Sequence, residues 1–211
     1  KHNQWKRERD VRRLIKWNFR ERDYWITLTY QKDYRPTWEE MKDHAGKLVR
    51  KMREKYKKQG WTLKYIYRLA IGSRGGRHIH ILINRESNEK TATDLIITDL
   101  WEQQWGHGHV NFRTTYNEGG YKQLAEYLTK PLEEWEPDEV KRYHPSRNLI
   151  RKDPEVDEIK RRSLVDCDGT PRMPKAPKGY YVDPESIEVG INPITHYAYR
   201  HYTLIKIKKR E

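Results

Sequence analysis

Residues 77–84 read Arg-His-Ile-His-Ile-Leu-Ile-Asn, and their alternation decides the fold. Side chains on a strand alternate faces with a period of two. Ile79, Ile81 and Ile83 therefore share one face and point to a core, while His78, His80, Leu82 and Asn84 share the other. The preceding residues 72–76, GSRGG, have the composition of a turn, and residues 62–71, TLKYIYRLAI, are rich in β-formers. Together they predict a hairpin. Upstream, YWITLTY at residues 24–30 is a further strand, and Thr37 followed by Glu40 has the spacing of a capping box that opens a helix running to about Lys58, with Met41, Leu48 and Met52 inward and Gly60 as its stop. Residues 91–105 read as a helix, His109–Arg113 as a short strand, and Tyr121–Lys130 as a helix ended by Pro131. Strands followed by helices in this order make an α+β fold, a central antiparallel sheet flanked by helices.

Three segments follow from changes in composition. Residues 1–22 form a basic helix or arm, residues 23–131 the core, and residues 132–211 a loop-rich C-terminal extension ending in one strand within HYAYRHYTLIKIKK. The chain begins at Lys1 rather than Met, which reads as part of a longer protein.

The formal net charge is +13, with 36% charged and 35% hydrophobic residues. So basic a chain points to a polyanion, either nucleic acid or an acidic membrane surface. No apolar run reaches the roughly 18 residues of a membrane span. The aromatic residues are 15 Tyr and 8 Trp against only 2 Phe, so most of them can both stack and hydrogen-bond. The lone Cys167 excludes a disulfide framework and a cysteine-type zinc site, and fits a reducing cytoplasm.

Two imidazoles side by side on a strand can give two nitrogen ligands to one metal ion. Two histidines on a solvated sheet face are the plainer alternative. On the helix at 121–130, Tyr121, Leu124, Ala125 and Leu128 form a core stripe. Tyr127 and Lys130, three apart, share a neighbouring face with Gln123. A tyrosine beside an ammonium can act as a nucleophile, although such a pair is often ordinary surface. Arg74, Arg77 and Lys122 lie beside these motifs as candidate DNA contacts. The second His-x-His, His107 and His109, lacks such context. Tyr197, Tyr199 and Tyr202 could stack bases, and the face carrying Lys47, Arg50, Lys51 and Arg53 could track phosphates; an edge strand and a solvated helix face explain them equally well.

ITLTY at 26–30, HIH at 78–80 and YLTK at 127–130, in this order, resemble the three motifs of HUH endonucleases, and more narrowly of rolling-circle replication initiators of bacterial plasmids and phages. The resemblance covers roughly residues 24–131. It implies a ferredoxin-like, RRM-like sheet, with His78 and His80 holding Mn²⁺ or Mg²⁺. It implies that Tyr127 attacks single-stranded DNA at an origin hairpin, leaving a 5′-phosphotyrosine and a free 3′-hydroxyl. Lys130 would orient or activate the tyrosine, and Thr27 and Thr29 would support the site. With no P-loop motif in the sequence, strand separation falls to a partner such as a host helicase, with a host polymerase following.

The chain departs from that pattern at one place. Relatives carry a third ligand, often Glu in a Glu-x-Gly pattern before the histidines; here it reads Ala70-Ile71-Gly72. Three alternatives stand open: Gln123 is the third ligand, water completes the shell, or the site binds without cutting. A single-tyrosine transposase of the same superfamily and a non-catalytic single-strand-binding module are the competing functions.

Overall fold

The computed structural model describes residues 2–116, 118–137, 141–153, 155–160 and 163–207. Two compact units emerge, Lys1–Arg151 and Lys152–Glu211.

The first unit contains α1 (His2–Asn18), β1 (Tyr24–Thr29), α2 (Trp38–Lys58), β2 (Tyr65–Ile71), β3 (Arg77–Ile83), α3 (Thr93–Thr98), β4 (Val110–Thr114), α4 (Lys122–Thr129) and β5 (His144–Pro145). The five strands form one sheet in the order β4-β1-β3-β2-β5, and every pairing is antiparallel. From β1 to β4 the elements run βαββαβ, the ferredoxin-like arrangement.

Local chemistry explains where the elements start and stop. Thr37 and Glu40 make both bonds of the capping box that opens α2. Met41, Ala45, Leu48, Met52 and Tyr56 recur at helical spacing and are buried. Gly60, at φ 74°, takes the left-handed turn after the helix. The β2–β3 turn closes with Gly72 N–H donating to Gly76 O at 2.8 Å and Gly75 N–H to Gly72 O at 2.7 Å. α3 begins at Thr93 and is continued over Asp99–Gln104 by a wider turn, in which Trp105 N–H reaches Leu100 O, five residues back. α4 starts one residue later than expected. Tyr121 stands at φ 64° and ends a short 3₁₀ turn, so the helix can begin only at Lys122.

The sheet is buried on both faces. On one, Ile26, Leu28, Leu69, Ile79, Ile81 and Ile83 pack under α2 and α3. On the other, Ile66, Leu82 and Trp25 meet Val11, Leu14 and Ile15 of α1 and Tyr121, Ala125 and Leu128 around α4. This corrects the picture of a non-aliphatic face around the histidines: α1 and α4 cover it with a second core, and Tyr121 belongs to that core. The expected boundary at 131 also differs from the packing. Beyond it, Glu136, Ser146 and Leu149 are buried, and β5 extends the sheet edge.

The second unit holds β6 (Tyr180–Val182), β7 (Glu188–Ile191), β8 (Ala198–His201) and β9 (Leu204–Lys206), paired as β6-β9 and β7-β8. The single last strand read from 195–208 is thus two strands in two sheets. The chain leaves the first ladder at Tyr202–Thr203, where Thr203 O accepts Asp183 N–H at 2.9 Å and Thr203 N–H donates to Ser186 Oγ at 2.7 Å. Tyr199 lies in β8, while Tyr197 is exposed outside any strand. Lys208 to Glu211 lie outside the described residues.

Candidate active site

Strand register places the site. His80 stands between Thr27 of β1 and Arg68 of β2; His78 stands between Thr29 and Ala70. One row across the sheet therefore reads Asn111, Thr27, His80, Arg68, all on the face covered by α1 and α4. The position where relatives carry a carboxylate, Ala70, is directly opposite His78.

His80 is 9% exposed. Its Nδ1 lies 3.1 Å from Thr27 Oγ1, and its ring stacks on Trp25 at 5.4 Å and 4°. The other ring nitrogen, Nε2, is buried and has no hydrogen-bond partner. A buried polar atom left unpaired costs free energy, so its persistence at a functional position calls for a ligand. The His78 ring meets His80 edge-on at 4.7 Å. Burial pushes the His80 imidazole down to about 3, helped by His78 and by Arg68. Burial lowers His78 as well, against the opposing pull of the Gly76 carbonyl and of Glu136. Both rings are therefore neutral at pH 7, the form that binds metal.

Tyr127 completes the constellation. Its ring stands edge-on to His80 at 4.8 Å and to Trp25 at 5.6 Å. Burial raises its hydroxyl to about 12, opposed by Arg68. The Arg68 guanidinium lies 5.8 Å from the Tyr127 ring centre. Its Nη1 donates to Tyr127 O at 3.1 Å and to Lys130 O at 2.6 Å, which fixes the end of α4 to β2.

Arg68 and Glu136 form a buried pair, 3.6 Å apart, with side chains 4% and 2% exposed. Glu136 Oε1 accepts Ile71 N–H at 2.9 Å and Oε2 accepts Glu133 N–H at 3.0 Å. Trp135 Nε1 donates to Ile71 O at 2.8 Å. The segment after α4 thus docks on the end of β2, and its carboxylate comes to the strand that lacks one, close enough to act electrostatically on both His78 and Tyr127.

The remaining expected residues are distributed unevenly. Lys130 ends α4, is exposed and pairs with Glu133, so the cation at the Tyr127 ring is Arg68. Gln123 is exposed, one turn before Tyr127. Lys122 opens α4 and is half-buried. Arg74 is exposed in the hairpin turn. Arg77 does not face the histidines. One register position from His78, it is on the opposite face and donates to Pro36 O at 3.3 Å and Gly75 O at 2.8 Å. His107 joins a ring cluster with His44 at 4.2 Å, and His109 is exposed.

Sequence reasoning missed Arg68, Glu136, Trp25 and Arg113. Arg68 carried a signal, being a charge inside the otherwise apolar-aromatic strand YIYRLAI. Arg113, exposed and paired with Trp25, follows from register alone. Nothing in local spacing marks Glu136.

The chemistry of the donors fits a divalent ion at His78 and His80: two neutral imidazoles, one with its free nitrogen buried and unpartnered. Among the described residues, no three His, Cys, Asp or Glu side chains gather around one point. Among the described residues, no helix is long and apolar enough to cross a membrane.

Neither the curated proteins nor the solved structures contain a match to this chain. The family model for the replication-associated protein ORF2 matches residues 23–132, the stretch that builds the sheet, both histidines and Tyr127. That stretch is just over half of the chain, and the protein belongs to the family of the replication-associated protein ORF2.

Proposed function

We propose that this protein initiates rolling-circle replication by nicking and rejoining single-stranded DNA, with Tyr127 as the nucleophile. The observation that carries the reading is the Tyr127 ring set against His80, whose buried Nε2 has no partner. Thr27 engages Nδ1 and leaves Nε2 as the ring atom available to a ligand. A divalent ion, Mn²⁺ or Mg²⁺, held by His78 and His80 supplies Lewis-acid polarisation of the scissile phosphate.

In the proposed step, Tyr127 Oη bonds to phosphorus as the P–O3′ bond breaks. The phenol proton passes, net, to the departing 3′ oxygen. One phosphodiester replaces another, so the reverse reaction rejoins the ends without an external energy source. Arg68 favours the charge that develops on the phenol oxygen and holds the helix end that carries the ring. Burial has the opposite effect, because the hydroxyl at about 12 is almost fully protonated at pH 7. Deprotonation therefore has to accompany attack rather than precede it.

A second reading, a module that binds single strands without cutting them, is favoured by the lack of a third clustered ligand among the described residues. Labelled single-stranded oligonucleotides of varied sequence, incubated with the protein and Mn²⁺, separate the two. A covalent adduct on a denaturing gel, lost in Tyr127→Phe, is expected. Binding across a broad library with no adduct would establish the second reading instead.

A further inference from the structure

On the other side of the sheet, the side carrying α2, lies a cleft of about 750 Å³. Arg50, Arg53 and Lys57 line it from α2, Arg147 lines it from the segment after β5, and the rings of Trp61 and Tyr65 contribute to its wall. Arg50, Arg53 and Lys57 follow one another at helical spacing and form a single stripe. Gly46 continues that stripe one turn earlier, and a Cβ added there would meet nothing within 4 Å, so the cleft stays open at that end.

The opposite wall is held by the fold. Ser146 N–H donates to Tyr65 O at 2.8 Å, and Ser146 Oγ accepts Tyr65 N–H at 3.2 Å. Asn148 Nδ2 donates to Leu63 O at 3.0 Å. These bonds seat Arg147 against the strand edge. No Asp or Glu lines the cleft. Arg50, Arg53, Lys57 and Arg147 are all exposed. Among the described residues, the ion pairs of α2 are made by its other cations, Lys42, Lys47, Lys51 and Lys55.

We infer that this cleft is a second DNA-binding site, which holds the backbone of a single strand on its four cations with a base against Trp61. Charge complementarity selects a polyanion, and the aromatic wall selects one that carries flat rings over a carboxylate chain. A duplex keeps its bases stacked inside; only a single strand can offer one to an indole. The inference rests on reading the protein as one that acts on DNA. It differs from that reading in place, because the site is on the face opposite His78, His80 and Tyr127, and in chemistry, because no bond is made or broken there.

The test is performed with Tyr127→Phe protein, so binding is measured apart from cleavage. Fluorescence anisotropy with a labelled oligonucleotide gives the affinity as a function of salt. For single strands, log K falls with log salt by about 0.7 per phosphate contact. The triple variant Arg50→Ala/Arg53→Ala/Arg147→Ala is expected to flatten that slope by about 2. A control triple with the same charge change, Lys32→Ala/Lys58→Ala/Lys90→Ala, is expected to keep the slope. DNA substituted with iodouracil is expected to crosslink, on irradiation, to the peptide containing Trp61. Equal slopes for the two triples, crosslinks confined to other peptides, or equally effective competition by polyglutamate would each overturn the inference. Failure of the nicking reading shows separately, as a missing adduct with wild-type protein. In protein that otherwise retains Tyr127, the cleft triple still forms the adduct at saturating DNA if the two sites are distinct.

Discussion

The desolvation of His80 predicts a specific acid lability. An unfolded histidine titrates near 6.5, whereas burial holds the folded imidazole at about 3. Below pH 6.5 the unfolded chain takes up a proton that the folded chain refuses. The stability contributed by keeping this ring neutral is therefore present above pH 6.5 and is lost as the pH falls toward 3. Each unit of pKa difference is worth about 1.4 kcal/mol, so between pH 7 and pH 4 the loss from His80 amounts to about 3 kcal/mol. His107, pushed down to about 4, and His44, also lowered, act in the same direction. Asp23, raised by burial, acts against them. The contribution of His80 must be isolated by difference. In His80→Phe a ring that does not titrate replaces the imidazole against Trp25. Urea unfolding of both proteins in EDTA, at pH 7 and pH 4, gives the comparison. Wild type is expected to lose about 3 kcal/mol more than the variant. Parallel losses, within about 0.5 kcal/mol, would refute the argument that Nε2 is sealed from water, and with it the case for a vacant ligand position in a dry site.

Two further outcomes follow from the packing. Arg68→Met leaves the Glu136 carboxylate buried without its cation and should cost about 3–5 kcal/mol by urea unfolding, while the double variant Arg68→Met/Glu136→Gln should lose less than the sum of the two singles. Additive losses would show that the pair is not coupled. Gly46→Ala should stabilise the protein by about 1 kcal/mol, because the added Cβ meets nothing within 4 Å and alanine is the better helix former. Calorimetry should show Tm rising by about 3 °C, and a lower Tm would mean that the helix needs the glycine backbone.

The fold was legible wherever the sequence repeats a physical pattern. Ile79, Ile81 and Ile83 gave β3 its core face, Thr37 and Glu40 marked the start of α2, and the glycines at 72, 75 and 76 gave the hairpin. Periodicity failed where a backbone dihedral or a distant partner decides. Tyr121 at φ 64° delays α4, and no residue pattern announces a left-handed tyrosine. Alternation through 198–206 continues across the residue where the chain changes sheets, since period two describes each strand and says nothing of which ladder receives it. The two-faced burial of the sheet was hidden for a related reason. α1 is basic and polar by composition, yet Val11, Leu14 and Ile15 are enough to cover the face that carries His80.

The candidate site divides along the same line. The histidines and Tyr127 stand in short motifs, and the structure brings their rings together at 4.7–4.8 Å. The gap at Ala70 was also legible, but its counterpart was not. A carboxylate on a strand can act beside the next strand because register puts it there. Glu136 acts there because Trp135 and Glu136 bond to both backbone groups of Ile71, next to Ala70. Those are contacts between residues 65 and 64 positions apart in the chain, and they exist only after α4 has docked. The carboxylate arrives already paired with Arg68. Where strand-borne glutamate would be free to face a ligand, this one also anchors the arginine that holds the end of the tyrosine helix. The ligand chemistry and the placement of the nucleophile are therefore mechanically linked in this chain. Glu136→Gln should accordingly disturb both, lowering metal affinity and loosening the end of α4, whereas a change confined to the ligand shell would alter only the first.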